Sequence, residues 1–386
     1  MRQHSSLPDA SARAVAPVVH WFLPTSGDGR DVGDTARSGL SGPPAREPTA
    51  DYLAQIARAS DQLGFAGVLT PTGTWCEDAW ILTAALARET WSLKFLVAMR
   101  PGIVSPTLTA QMAATFQRVS GGRLALNLVA GGDDAEQRRF GDWLDHDQRY
   151  ARTDEFLAVM RGAWSPEVFN FNGEHYRVED ATVMVPPDPL PPVYFGGASP
   201  PAEEVAARHA DVYLAWGEPP EMLAERLARM RKLAEKHERR LRFGLRLHVI
   251  TRDSAAEAWA EADRMLENMD DVAVKLAQRR LRRSGSVGQQ RQNALHGGTK
   301  DNLVIAPNLW AGIGLMRGFG GTALVGSHTE VAERMHEYAE LGFDEFILSG
   351  YPHLEEAYRV GEGLLPLLGT VGEDSAMQPM LAASSL

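Results

Sequence analysis

Short apolar runs alternate with longer amphipathic stretches along the chain. Val19–Leu23, Gly67–Thr70, Lys94–Met99, Leu124–Val129, Val193–Phe195, Val212–Ala215, Arg242–Ile250 and Glu345–Ser349 read as strands. Most are short and nearly all apolar, as strands of a helix-covered parallel sheet are. Between them, Asp51–Leu63, Pro106–Val119, Tyr150–Trp164, Pro220–His237 and Thr329–Leu341 carry apolar residues at helical spacing. Eight strand–helix steps predict an α/β chain folded as a closed (β/α)8 TIM barrel with insertions.

One strand departs from the apolar rule. In Gly244–Ile250, period-2 geometry puts Arg246 and His248 on one face and Leu245, Leu247 and Val249 on the other. A buried charge without a partner is costly, and the strand offers no acidic residue. The expected partner is therefore a bound anion.

Two segments interrupt the alternation. Residues 165–191 hold Pro166, Pro186, Pro187, Pro189 and Pro191, which suits a surface excursion with a hairpin around Asn172-Gly173. Residues 253–327 begin with a helical stretch, pass the basic run Arg279–Arg283 and end in Arg317-Gly-Phe-Gly-Gly-Thr322. An insertion of this length at a barrel rim is expected to act as a lid. Residues 1–17 and 369–386 are expected to be loose flanks of one catalytic unit over 18–368.

Composition narrows the class. The 386 residues are 44% hydrophobic and 23% charged, with a net charge of −11. A chain this acidic is a poor match to a nucleic-acid or membrane-surface partner. No signal-peptide pattern and no run of about 18 apolar residues is present, so a cytoplasmic protein is expected. A single cysteine excludes a disulfide framework and a CxxC metal site, and no metal is expected.

In a barrel, chemistry sits at the C-terminal ends of the strands. Those ends here read Pro71–Asp78, Ala130–Asp134, Gly196–Ser199, Trp216–Pro219, Arg246 with His248, and Gly350–His353. Gly196-Gly197-Ala198-Ser199 between a strand and a helix suits phosphate, and equally suits an ordinary turn with an N-cap serine. No Walker A or GxGxxG pattern supports a Rossmann-type site. Cys76 reads as a nucleophile, a cofactor-adjacent thiol or a small buried hydrophobe. His353 is either catalytic or a turn cap. His146 and Tyr150, four apart, share a face if helical. The basic run 279–283 reads as a solvated helix face.

These motifs resemble the two-component alkanesulfonate monooxygenases of the bacterial luciferase-like superfamily. The matching stretches are Trp21–Thr25, Cys76–Trp80, Leu144–His146 with Arg149-Tyr150, Tyr194–Gly197, Trp216–Pro220, Gly244–Ile250, Ala306–Gly312 and Leu348–Arg359. The resemblance implies a TIM barrel and reduced FMN delivered by a separate NAD(P)H-dependent flavin reductase. It also implies dioxygen as co-substrate and a homodimer or homotetramer. By position, Arg246 and Arg317 resemble the sulfonate-binding arginines, with Arg317 on a lid loop. His248 and Tyr351 resemble the polar pair beside the flavin, and Cys76 the family's active-site cysteine. Asn127, His146, Tyr150 and Gly196–Ser199 resemble the flavin and phosphate contacts, while Trp216 and His353 fall on the substrate side.

The departures bear on the substrate. Ser26 stands where the family has histidine, Thr74-Trp75 where it has Arg-Ser, Ala215 where it has threonine, and Phe319 within the Gly-rich loop. Smaller side chains make room, and flat aromatic faces suit a sugar ring. The resemblance with these changes implies a hydroxylated sulfonate such as sulfoquinovose, with a linear alkanesulfonate as the alternative. Rival readings are a barrel glycosidase using Asp133, Asp134 or Glu218, a deazaflavin enzyme of the same superfamily, and a non-catalytic anion-binding protein.

Overall fold

The computed structural model describes residues 16–34 and 44–369. The expected loose flanks at 1–17 and 369–386 fall almost wholly outside the described residues. The strands are β1 (Val18–Phe22), β2 (Gly67–Thr70), β3 (Lys94–Met99), β4 (Leu124–Leu128), β5 (Phe169–Asn172), β6 (Arg177–Ala181), β7 (Val193–Gly196), β8 (Val212–Trp216), β9 (Arg242–Arg252), β10 (Val304–Ala306), β11 (Leu309–Trp310), β12 (Ala323–Ser327) and β13 (Glu345–Ser349). A parallel ring β1-β2-β3-β4-β7-β8-β9-β13 closes when β13 pairs with β1. These are the eight strands that the apolar runs predict, within a residue or two at most ends.

The helices start where side chains cap them. Thr49 accepts from the Tyr52 amide before Ala50–Gln62, and Ser105 accepts from Leu108 before Pro106–Ser120. Asp145 with Gln148, and Ser327 with Glu330, form capping boxes. The first box starts a helix at His146 rather than at Tyr150, so His146–Gly162 brings both rings onto one helix. The hairpin around Asn172-Gly173 is present as antiparallel β5–β6.

β9 outlasts its neighbours. Its first half pairs with β8, from Val212↔Arg242 to Trp216↔Arg246. Its second half pairs along the same edge with β12, from Ala323↔His248 to Ser327↔Arg252. The insertion leaves from the end of β9 and returns through β12. Between them it folds into the helices Ala255–Glu267, Asp271–Leu281 and Val287–His296, where the sequence pattern shows one helical stretch.

Leu245, Leu247 and Val249 point outward into the main core between barrel and helices. A smaller apolar cluster, including Phe22, Leu69, Leu96, Tyr194 and Ile347, fills the barrel interior. Beneath it sits Glu345, 1% exposed. It accepts from Tyr194 Oη at 2.7 Å, lies 3.1 Å from His20 Nε2 and pairs with Arg242. Burial alone would raise its pKa; the hydrogen bond from His20 and the charges of His20 and Arg242 outweigh this and lower it. A carboxylate lowered by folding stabilises at pH above its unfolded value and loses that contribution as pH falls through its folded value. Urea unfolding of the wild type should therefore lose stability below about pH 4.5 more steeply than Glu345→Gln. At pH 7 the variant should be weaker by about 3–5 kcal/mol.

Candidate active site

The C-terminal ends of the strands open into a cleft of about 1430 Å³ that merges with solvent at its mouth. Its inner wall is Phe22 at the end of β1, Leu214 on β8, Arg246 on β9 and Ile347 on β13. One side is built by Trp75, Arg100, Asn127 and Glu136, and another by His146, Tyr150 and Gly196–Ser199. Trp216, Ser286–Gly288, Arg317 and Phe319 complete the rim. The insertion is clasped to the barrel there: Ser284 Oγ and the Gly285 amide donate to the Gly132 carbonyl, at 3.0 and 3.2 Å.

Arg246 is buried. It donates to the carbonyl of Leu247, to that of Ile347 at 3.3 Å and to Ser349 Oγ at 2.7 Å. Its guanidinium carbon lies 4.9 Å from the centre of the Phe22 ring. Arg317 lies over the same ring at 5.3 Å and donates to Tyr351 Oη. Among the described residues, neither guanidinium has a carboxylate within salt-bridge distance. Burial, and then the charge of Arg317, pushes Arg246 down to about 9. Two like charges thus share one aromatic platform, and an anion in the cleft would relieve both.

Behind this pair lies a second layer. His248 is fully buried and stacks on Tyr351, with centroids 5.6 Å apart and planes 13° from parallel. Ser349 Oγ lies 2.8 Å from its Nδ1. Burial and the charges of Arg246 and Arg317 hold its pKa well below 6.5, so it is neutral at pH 7. His353 is also buried, with Nδ1 2.8 Å from Asp28 Oδ1.

At the opposite end, Ser199 stands at the N-cap of Pro200–His209 but makes no side-chain bond to that helix. Tyr150 Oη lies against the Gly197 turn. Burial raises the pKa of Tyr150, with the Ser199 hydroxyl beside it acting the other way. His146 packs edge-on to Tyr150 at 4.9 Å.

The structure thus brings Trp75, Asn127, His146, Tyr150, Gly196, Gly197, Ala198, Ser199, Trp216, Arg246 and Arg317 to one cleft. It places His248, Tyr351 and His353 one layer behind, because Phe22 and the guanidiniums stand in front of them. Ser26 is buried in the turn after β1 and does not line the cleft. Cys76 does not line it either; its Sγ lies 3.5 Å from the Gly73 carbonyl. The four arginines of the run 279–283 are exposed.

Sequence reasoning missed Phe22 as the platform, Asp28, and the Arg100–Glu136 pair at 2.7 Å. It also missed the glutamines that hold the Gly-rich loop. Gln289 and Gln292 accept from the amides of Phe319 and Gly321, and Gln278 donates to the carbonyls of Gly314 and Leu315. The three-residue spacing of Gln289 and Gln292 on one helix was the available signal. The rim carboxylates of a glycosidase are already committed. Asp133 caps a helix, Asp134 pairs with Arg149, and Glu218 is held between Arg226 and Arg291.

A closed barrel with a polar cleft at the strand C-termini and a long insertion after its seventh strand defines a class of enzymes. The model of the luciferase-like monooxygenase family matches residues 19–345, and the chain belongs to that family. Among solved structures it is similar to riboflavin lyase (RcaE) with modified FMN and riboflavin: 18% identity, 92% of this chain and 91% of that one covered, TM-score 0.76. It is also similar to long-chain alkane monooxygenase (LadA), at 19% identity, 92% and 91% coverage and TM-score 0.74. EDTA monooxygenase (EmoA) from Chelativorans sp. BNC1 matches at 17% identity, 92% and 94% coverage and TM-score 0.70. F420-dependent enzymes also occur among the matching structures. At these identities the likeness is one of fold. Among the described residues no helix is long and apolar enough to cross a membrane, and no cluster of metal-ligating side chains occurs.

A lone buried charge destabilises the empty protein. Arg246→Met should therefore raise the free energy of unfolding by about 1–4 kcal/mol, measured by urea denaturation without added anions.

Proposed function

We propose that the protein is a flavin-dependent sulfonate monooxygenase, which uses reduced FMN and dioxygen to cleave a C–S bond and release sulfite and an aldehyde. The observation that carries this reading is the Arg246–Arg317 pair, buried on Phe22 without a carboxylate among the described residues. Arginine suits a sulfonate because its planar fork meets several oxyanion oxygens at once.

The residues present fit FMN. Asn127, His146, Tyr150 and Gly196–Ser199 would hold it, with the phosphate at the start of Pro200–His209. The Ser199 hydroxyl is buried and does not serve its own helix. Pro200 and Pro201 remove two amide donors from the first turn. Phosphate contacts then fall to the Gly197–Ser199 amides and to the hydroxyls of Ser199 and Tyr150. Gly197 has φ +153°, and a Cβ there would stand 2.5 Å from Ala202 Cβ and 3.4 Å from Tyr150 Oη.

Reduced FMN, when bound, supplies the electrons that activate dioxygen. The chain's own residues do the rest. Arg246 and Arg317 fix the sulfonate, and the insertion clasped at Gly132 walls one side of the cleft. Neutral His248 and the Tyr351 hydroxyl, one layer behind, would hold or pass a proton in this reading. In the turnover one oxygen atom of O2 ends in the aldehyde and the other in water, and sulfite leaves with the electron pair of the C–S bond. A separate NAD(P)H-dependent reductase would deliver the flavin, and a homodimer or homotetramer would be the working form.

The substrate that best suits the cleft is a sugar sulfonate such as sulfoquinovose. Trp75, Trp216 and Phe319 line it, and Phe319 stands edge-on to Trp216 at 6.1 Å. Glu136 lines the same space, paired with Arg100 and accepting from the Thr74 amide. Sulfite release with a flavin reductase, measured on sulfoquinovose, octanesulfonate and methanesulfonate, should favour the sugar; preference for the linear chains would overturn this assignment. In the same assay Arg246→Ala should lose about 2–5 kcal/mol in kcat/KM, and unchanged turnover would remove the sulfonate site. Fluorescence titration should show FMN binding weaker by about five- to 150-fold in Gly197→Ala, given a close contact that costs about 1–3 kcal/mol. A requirement for a deazaflavin in place of FMN would end the flavin assignment.

A further inference from the structure

Asp28 is a fully engaged carboxylate behind the cleft that the proposed turnover does not use. It is fully buried in the turn after β1. Oδ1 lies 2.8 Å from His353 Nδ1 and accepts from the Gly29 amide at 2.9 Å. Oδ2 accepts from the His353 amide at 2.8 Å and from Tyr52 Oη at 2.6 Å. A carboxylate beside Nδ1 makes that nitrogen the donor, which leaves Nε2 as the basic site. Nε2 is buried and has no hydrogen-bond partner among the described residues.

The surroundings of this imidazole are asymmetric in charge. On one side stands Asp28, backed by Tyr52 and the exposed Arg46–Glu355 pair. On the other, the His353 ring lies 5.2 Å from Tyr351, which receives the Arg317 hydrogen bond. It also lies 5.7 Å from Phe22, the ring that carries both guanidiniums. His248, on β9, is the remaining titratable group of that wall, stacked on Tyr351. His353 is thus held between one anion and two cations.

We propose that Asp28 is a positioning residue for His353, and that this pair takes up one proton when a sulfonate settles on Arg246 and Arg317 and returns it when the anion leaves. The proposal rests on the anion-site reading above. The proton comes from solvent and is held at His353 Nε2; no covalent bond changes. The physical cause is electrostatic. Burial lowers the pKa of His353 most, Asp28 raises it, and Arg317 and Arg246 lower it further. A sulfonate on the arginines offsets one unit of that positive charge and so part of the last two effects. At a separation near 10 Å in a protein interior, one unit of charge changes proton affinity by about tenfold. The stored proton has a use: a sulfonate carries one negative charge and sulfite two, so charge builds up beside the arginines as the C–S bond breaks.

The test is a titration of methanesulfonate into the protein saturated with oxidised FMN, so that the phosphate cradle is filled. Proton uptake is followed with a pH indicator in weakly buffered solution. The free imidazole lies below the ordinary histidine value of about 6.5 and the anion-bound one above its free value. Binding should therefore tighten as pH falls through this range, by about tenfold in all, with uptake peaking at about half a proton per site. His353→Gln should bind with no such uptake. Asp28→Asn should lose most of it, because the imidazolium loses its counter-charge. Tyr52→Phe, which keeps the Asp28–His353 contact, should retain it. Uptake unchanged in His353→Gln, or pH-independent binding in the wild type, would overturn the proposal and leave the anion site standing. No binding at any pH would overturn the anion site itself.

Discussion

Two guanidiniums stacked on one phenylalanine, away from water and without a carboxylate, are the constraint around which the rest of the site is arranged. A buried positive charge needs compensation. Here it comes in fragments: the carbonyls of Leu247 and Ile347, the hydroxyls of Ser349 and Tyr351, and the faces of Phe22 and Tyr351. None of these carries a full negative charge, so the charge of the pair is left unbalanced by the groups around it. Elsewhere the cleft is treated in the opposite way. Arg100 is matched by Glu136, and Arg226 and Arg291 share Glu218.

Holding Arg317 against Arg246 takes structure well beyond the barrel. Arg246 is on β9, fixed by ladder bonds to β8 and β13. Arg317 reaches the same ring from the far end of the insertion. Its loop is held by three glutamine side chains and carries Phe319 at φ +68°. A non-glycine residue in that region is strained, and the Gln289 bond to its amide helps to hold it there. The insertion therefore does two jobs, bracing one side of the cleft at Gly132 and supplying the second cation.

Much of this was legible along the chain. Eight apolar runs separated by capped helices mark the staves of the barrel, because a parallel strand buried on both faces must be apolar throughout. Arg246 and His248 interrupt that rule at period two, and both turn inward as the alternation requires. Tyr150 and His146 meet because they are four apart on a helix. The capping box at Asp145 moved the start of that helix back to His146, a boundary that apolar spacing alone does not reveal.

Other features had no local signature. Phe22 looks like any strand aromatic until β9 and the insertion bring two arginines onto it. Asp28 sits in a Gly-Asp-Gly turn that reads as solvent-facing, but His353, 325 positions away, buries it. Ser26 and Cys76 stand beside motif residues and yet do not line the cleft, because neighbouring Trp75 and Phe22 occupy its wall. The sequence by itself determined the barrel, its chemical rim and a charged residue inside it, since these follow from periodicity along the strands. Only the tertiary structure decided which side chains share the anion's space and which stand behind it, because that depends on contacts between residues hundreds of positions apart.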